Sequence, residues 1–80
     1  MAERDFKKQF GSHLKKLRLQ KKLSLLEADY RSDLNESNIS KYENGHREPR
    51  LSTIIKLAKM LKVHPKELLN YDFDFLKKEK

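Results

Sequence analysis

The chain holds no cysteine and no tryptophan, and only two glycines and two prolines among its 80 residues. Without cysteine there is no disulfide framework, no thiol nucleophile and no thiolate metal site. A Gly-rich phosphate loop and a GxSxG elbow are both absent. His13, His46 and His64 are scattered and form neither HxxxH nor HExxH, so no metal site is expected. The Asp72/Asp74 pair lacks the remaining ligands of a calcium loop. No apolar run approaches the roughly 18 residues of a membrane span. The opening MAERDFKKQF has no apolar segment of the kind a secretory signal needs. These absences argue against an enzyme and against a membrane protein. The expectation is a cytoplasmic protein with no metal, cofactor or small-molecule ligand.

Cations, by contrast, are abundant. Net charge is +7 and the pI about 9.7, a balance that favours an anionic partner. The charge is unevenly placed. Residues 1–23 carry eight Lys/Arg against two acids, residues 24–45 two against five, and residues 46–80 nine against five. A central acidic stretch is therefore flanked by basic ones. Mean hydropathy of −0.95 implies one small core, and a chain of this size forms one domain with a thin stability margin.

That central stretch, Ser24 to Gly45, reads as two short helices joined by a tight turn. Ser24 and Asn35 are cap candidates, because each side-chain oxygen can accept from a free N–H of a first turn. Ser32-Asp33-Leu34 is the turn. Leu26, Tyr30, Leu34, Ile39 and Tyr42 are the expected apolar anchors, and Gly45 follows as a left-handed cap. Two helices so joined make the unit that lays its second helix in the DNA major groove. Before it, Phe6, Phe10, Leu14 and Leu17 trace one helical face. Gly11 costs that helix about 1 kcal/mol, which suggests a start near Lys8 or Gln9 after a frayed arm at 1–5. After it, His46–Arg50 is a loop ended by Pro49, and Leu51, Ile54, Ile55, Leu57, Ala58 and Leu61 mark a fourth helix, with Lys56 on its wet side. Residues 64–69, HPKELL, form a short fifth helix with Pro65 at its first position and His64 as a possible cap. The expected domain spans 1–70. In the tail 71–80, Tyr71, Phe73 and Phe75 alternate with polar residues, a strand-like pattern that needs a partner and suits a dimer contact.

The stretches FGSHLKKLRLQKKLS, SDLNESNISKYENGHREPRLSTIIKLAKMLKV and HPKELL resemble the Cro/phage-repressor (Xre-type) helix-turn-helix family. The resemblance implies an all-α, compact five-helix bundle of the lambda-repressor-like type, with the motif on helices two and three. It implies that Glu36, Ser37, Asn38 and Lys41 face base edges. Their chemistry agrees: Lys donates to guanine, Glu accepts from cytosine N4, Asn suits adenine, and Ser suits either. It places Asn44, His46, Arg47 and Arg50 along the phosphate backbone, with Arg31 and the cap residue Asn35 added to that set. It places Arg18 and Glu43 in a partly buried ion pair between helix one and the reading helix.

Three residues depart from the family pattern. Leu25 stands where a phosphate-gripping Gln is usual. Ala28-Asp29 replaces Leu-Ala, so Asp29 falls where a small apolar residue is wanted and needs either a rotated helix, Arg31 or a backbone donor as compensation. Asp33 replaces the turn Gly, a milder change because Asp tolerates left-handed geometry. The leading expectation is a homodimeric regulator binding double-stranded DNA at a two-fold operator. The alternative is an antitoxin-type protein that holds a small protein partner and autoregulates through the same fold. A third reading, prompted by Leu25, Asp29 and the acidic centre, is an interaction module that does not bind DNA.

Overall fold

The computed structural model describes residues 3–72. Five helices follow in order: α1 Glu3–Gln20, α2 Leu25–Ser32, α3 Glu36–Glu43, α4 Leu51–Leu61 and α5 Pro65–Leu68. The fold is the all-α bundle expected, with no strand among the described residues. The alternating tail from Phe73 onward lies outside the described residues. Tyr71 is described, and its ring lies tilted against His13 with centroids 5.4 Å apart.

α1 starts at Glu3, so residues 3–5 are helical rather than a frayed arm, and the start near Lys8 is not seen. The reason is what Gly11 does. A Cβ at this position would lie 2.5 Å from the Glu43 carbonyl oxygen and closer still to that of Tyr42. Gly11 is therefore the point where α1 lies against the C-terminal end of α3, and its propensity cost is offset by that packing. The stripe on α1 buries Phe10 and Leu14, while α4 contributes Leu57, Ala58, Met60 and Leu61 and α5 adds Leu68. Leu17 and Ile54 pack against this cluster from its edge. α1 packs on α3 and α5, α2 on α3 and α4, and α4 on α5.

The inward face of α2 is not the one the spacing suggests. Leu26 and Tyr30, expected as anchors, are 66% and 88% exposed. Ala28 is fully buried instead, and Leu25 packs against the core. Ala28 has the smallest apolar side chain on the helix, so turning it inward lets α2 approach its neighbours closely. Leu51, expected in the α4 stripe, is likewise exposed. His64 occupies the N-cap of α5 but makes no capping bond, so the expected cap is absent.

Several helix ends follow from local chemistry. Ser24 and Glu27 form a reciprocal capping box on α2: Glu27 N donates to Ser24 Oγ at 3.1 Å and Ser24 N to Glu27 Oε1 at 2.9 Å. The box holds the Glu27 carboxyl below its ordinary range, first through the Ser24 backbone bond and then through the Ser24 hydroxyl. Asp33 ends α2 in left-handed geometry at φ 59°. After α3, Gly45 sits at φ 74°, with Gly45 N donating to Tyr42 O and His46 N to Lys41 O, the paired bonds of a Schellman end.

Candidate nucleic-acid interface

α3 is held at both ends and open in between. At its start, Asn35 Oδ1 accepts from Ser37 N at 2.8 Å. Asp29 Oδ2 accepts from Glu36 N at 2.9 Å. Asp29, the residue that fits the expected pattern least, thus finds the backbone donor it needs, at the start of α3. Its charge also suits the positive end of the α3 dipole. At the other end, Arg18 Nε donates to Glu43 Oε2 at 2.6 Å and Arg18 NH2 to Glu43 Oε1 at 3.1 Å. The third bond, from Arg18 NH1 to Leu23 O at 2.6 Å, draws in the connection between α1 and α2. The two side chains are only 7% and 3% exposed. One guanidinium therefore locks the end of α1, the entry to α2 and the end of α3.

Between these locks, Ile39 and Tyr42 point into the core, while Glu36, Ser37 and Lys41 are exposed. Asn38 is half-buried, and its Oδ1 accepts from Arg47 NH1 at 3.0 Å. Asn44 is exposed and donates to Ser40 Oγ at 3.2 Å. His46, Arg47 and Arg50 are exposed in the following loop. Arg47, Arg50 and Lys56 line one open polar cleft together with Glu48, Ser52 and Thr53. In the sequence, Lys56 shows only as part of a wet face. Its signal was the four-residue spacing from Ser52, which puts both on the side of α4 next to the loop.

Arg31 is not drawn into this group. It lines a shallow surface with Leu26, Glu27 and Tyr30 on α2. The N-terminus of α2, a natural site for an anion, already holds the Glu27 carboxylate, and Leu25 beside it is packed on the core. The structure thus offers an exposed face on α3, a loop and cleft beside it in which cations outnumber acids, and an α2 N-terminus capped by its own Glu27.

Comparison with known proteins agrees with this geometry. A helix-turn-helix family model matches residues 14–68. The chain is 41% identical over 61 residues to the uncharacterized HTH-type transcriptional regulator RghRB of Bacillus subtilis (strain 168), covering 75% of this chain and 44% of that protein. It thus spans less than half the length of the Bacillus protein. It is 35% identical over 65 residues to the uncharacterized HTH-type transcriptional regulator y4dJ of Sinorhizobium fredii (strain NBRC 101917 / NGR234), covering 81% of this chain and 84% of that protein. Among solved structures, the restriction-modification controller protein C.AhdI from Aeromonas hydrophila superposes with a TM-score of 0.78 at 36% identity, covering 80% of this chain and 97% of that one. The DNA-binding domain of BldD gives a TM-score of 0.75 at 28% identity, covering 85% and 97%. With the matched segment running from the middle of α1 through α5, the chain belongs to the helix-turn-helix family of DNA-binding transcriptional regulators, of the Cro/phage-repressor (Xre) type.

Proposed function

We propose that this protein is a homodimeric, sequence-specific regulator that sets α3 of each subunit into the major groove of double-stranded DNA, with half-sites about one helical turn apart. The observation that carries this reading is the state of α3. It is fixed at its start by Asp29 and at its end by Arg18, yet exposed along Glu36, Ser37 and Lys41. A reading helix needs that combination, because base contacts discriminate only when their donors and acceptors are held in place. Glu36, Ser37 and Lys41 face base edges. Asn44, His46 and Arg50 meet phosphates, with Asn35 at the helix start and Arg31 at the rim. The dimer reading is supported by exposed Leu69, which lines an open groove with Phe6, Phe10, Pro49 and Ile54, bordered by Lys7 and Glu48. The likeness to a restriction-modification controller protein supports a regulatory role.

Affinity for duplex DNA measured against salt tests this. Each neutralised phosphate should contribute a slope of about −0.9 in log affinity against log salt. Failure to bind even at low salt would overturn the proposal.

One observation favours the antitoxin-type alternative. Leu26 and Tyr30 stand exposed one turn apart on α2, an apolar pair that a protein partner can cover. Copurification with a second small protein that is lost on Leu26→Ser/Tyr30→Ser would support that reading. Retention of the partner by this variant would exclude the α2 surface.

A further inference from the structure

From the sequence, Arg47 groups with the backbone cations, and it does line the cleft beside the loop, but its guanidinium also reaches α3. It turns back over α3 and places NH1 on Asn38 Oδ1 at 3.0 Å, across nine residues of sequence. Asn38 is the third residue of α3. In helix-turn-helix docking the N-terminal residues of the reading helix contact the bases, so the bond carries a guanidinium toward the groove floor.

The bond also changes what each partner can do. An Asn reads adenine bidentately, with its amide oxygen and nitrogen together. One of the two acceptor positions of the Asn38 oxygen is taken by Arg47, which fixes the direction the amide faces. Arg47 spends one of its five N–H donors on that bond. The edge formed by Nε and NH2 has no hydrogen-bond partner among the described residues, and Arg47 forms no ion pair there. Two parallel donors on a planar fork match guanine O6 and N7. The same fork can also grip a phosphate through two donors, so it is the place of the pin, on the third residue of α3, that favours a base edge. A bidentate base contact gains directly, because the rotamer freedom of a long side chain is already restricted before binding.

We propose that Arg47 reads a guanine in the major groove and that Asn38 is its positioning residue rather than an independent adenine reader. This rests on the DNA-binding reading above. It adds one recognised base pair per half-site, beside those faced by Glu36, Ser37 and Lys41.

The test starts from duplexes selected by the full chain out of a random library. Wild type, Arg47→Ala, Arg47→Lys and Asn38→Ala are then compared on the selected duplex, on single-base variants and on random duplex, with thermal midpoints as a folding control. For Arg47→Ala, the loss on the selected duplex should exceed the loss on random duplex by roughly 5- to 150-fold, and the excess should map to one guanine. Asn38→Ala and Arg47→Lys should reduce preference at that same guanine. Replacing it by 7-deazaguanine, which lacks the N7 acceptor, should weaken wild type and leave Arg47→Ala unaffected. Equal loss by Arg47→Ala on all duplexes, with the salt slope reduced by about one phosphate, would make Arg47 a backbone contact and overturn the inference while leaving the DNA-binding reading intact. Asn38→Ala changing preference at a different base pair would also overturn it. A wild-type chain that selects no site and binds no duplex at low salt would remove both readings together.

Discussion

Arg18→Ala removes three hydrogen bonds at once and leaves the Glu43 carboxylate with a side chain only 3% exposed. Breaking a buried pair by removing one partner costs about 3–5 kcal/mol, because the orphaned charge can neither hydrate nor find another partner. An 80-residue domain has on the order of 4–12 kcal/mol in total. The variant should therefore lose a quarter or more of its stability. At about 4–8 °C per kcal/mol for a domain of this size, the midpoint should fall by at least roughly 12 °C. Removing both charges is different. Arg18→Met/Glu43→Leu leaves no buried ion, only the Leu23 carbonyl without its donor, at about 1–3 kcal/mol. The double variant should thus be more stable than Arg18→Ala. Urea and thermal unfolding followed by circular dichroism give both numbers, and repeating them at high salt should change the difference little, since buried pairs are weakly screened. If Arg18→Ala shifts stability by less than about 1 kcal/mol, as exposed pairs do, or if the double variant is the weaker one, the three-way lock is not what holds α3.

Other consequences follow from single positions. Gly11→Ala gains helix propensity, yet its methyl group meets backbone oxygens of α3 that no rotamer change can move; a net loss of about 2 kcal/mol is expected, read as a lower midpoint. Lys22 and Lys62 both adopt left-handed backbone at φ 58° and 59°, so Lys22→Gly and Lys62→Gly should each raise stability by about 0.5–1 kcal/mol in urea titration. Glu27 is held below its ordinary value of 4.5 by the capping box. Its contribution is present above the ordinary carboxylate range and lost as pH falls through the depressed folded value, so the stability gap between wild type and Glu27→Gln should shrink on acidification through that window.

Much of this was legible in the sequence where one residue decides one outcome. Ser24 and Asn35 are cap residues by their own chemistry, and both cap their helices; the return bond from Glu27 that completes the box on α2 is added by the structure. Asp33 tolerates left-handed backbone, and the structure places it there. The α1 stripe was equally plain, because four residues agree on its phase. The face of α2 was not legible, for a physical reason. An eight-residue helix with apolar residues at 25, 26, 28 and 30 offers two competing stripes. The choice between them depends on close approach, which favours the small Ala28 over the larger Leu26 and Tyr30. The Arg47–Asn38 bond was not legible for a related reason: a long side chain leaving a loop can reach in several directions, and periodicity says nothing about which.

The acidic balance of residues 24–45 seemed to count against DNA binding, but the structure shows where those charges go. Glu27 closes the α2 cap, Asp29 accepts from the first N–H of α3, and Glu43 is consumed by Arg18. Asp33 is exposed at the turn. Glu36 differs: its backbone is tied to Asp29, while its exposed carboxylate has no partner among the described residues. It is the acid that α3 presents beside Ser37. On the proposed docking it meets either a cytosine N4 amine or the field of the phosphates. Those two cases separate cleanly on Glu36→Ala. A carboxylate that reads cytosine carries both effects at once, a repulsion common to every duplex and an attraction specific to one C·G pair. Glu36→Ala should then bind random duplex more tightly at low salt while losing roughly 1–3 kcal/mol of discrimination at one position. Tighter binding everywhere with no loss of discrimination would mean that Glu36 only repels, and that base recognition rests on Ser37, Lys41 and the Arg47–Asn38 pair.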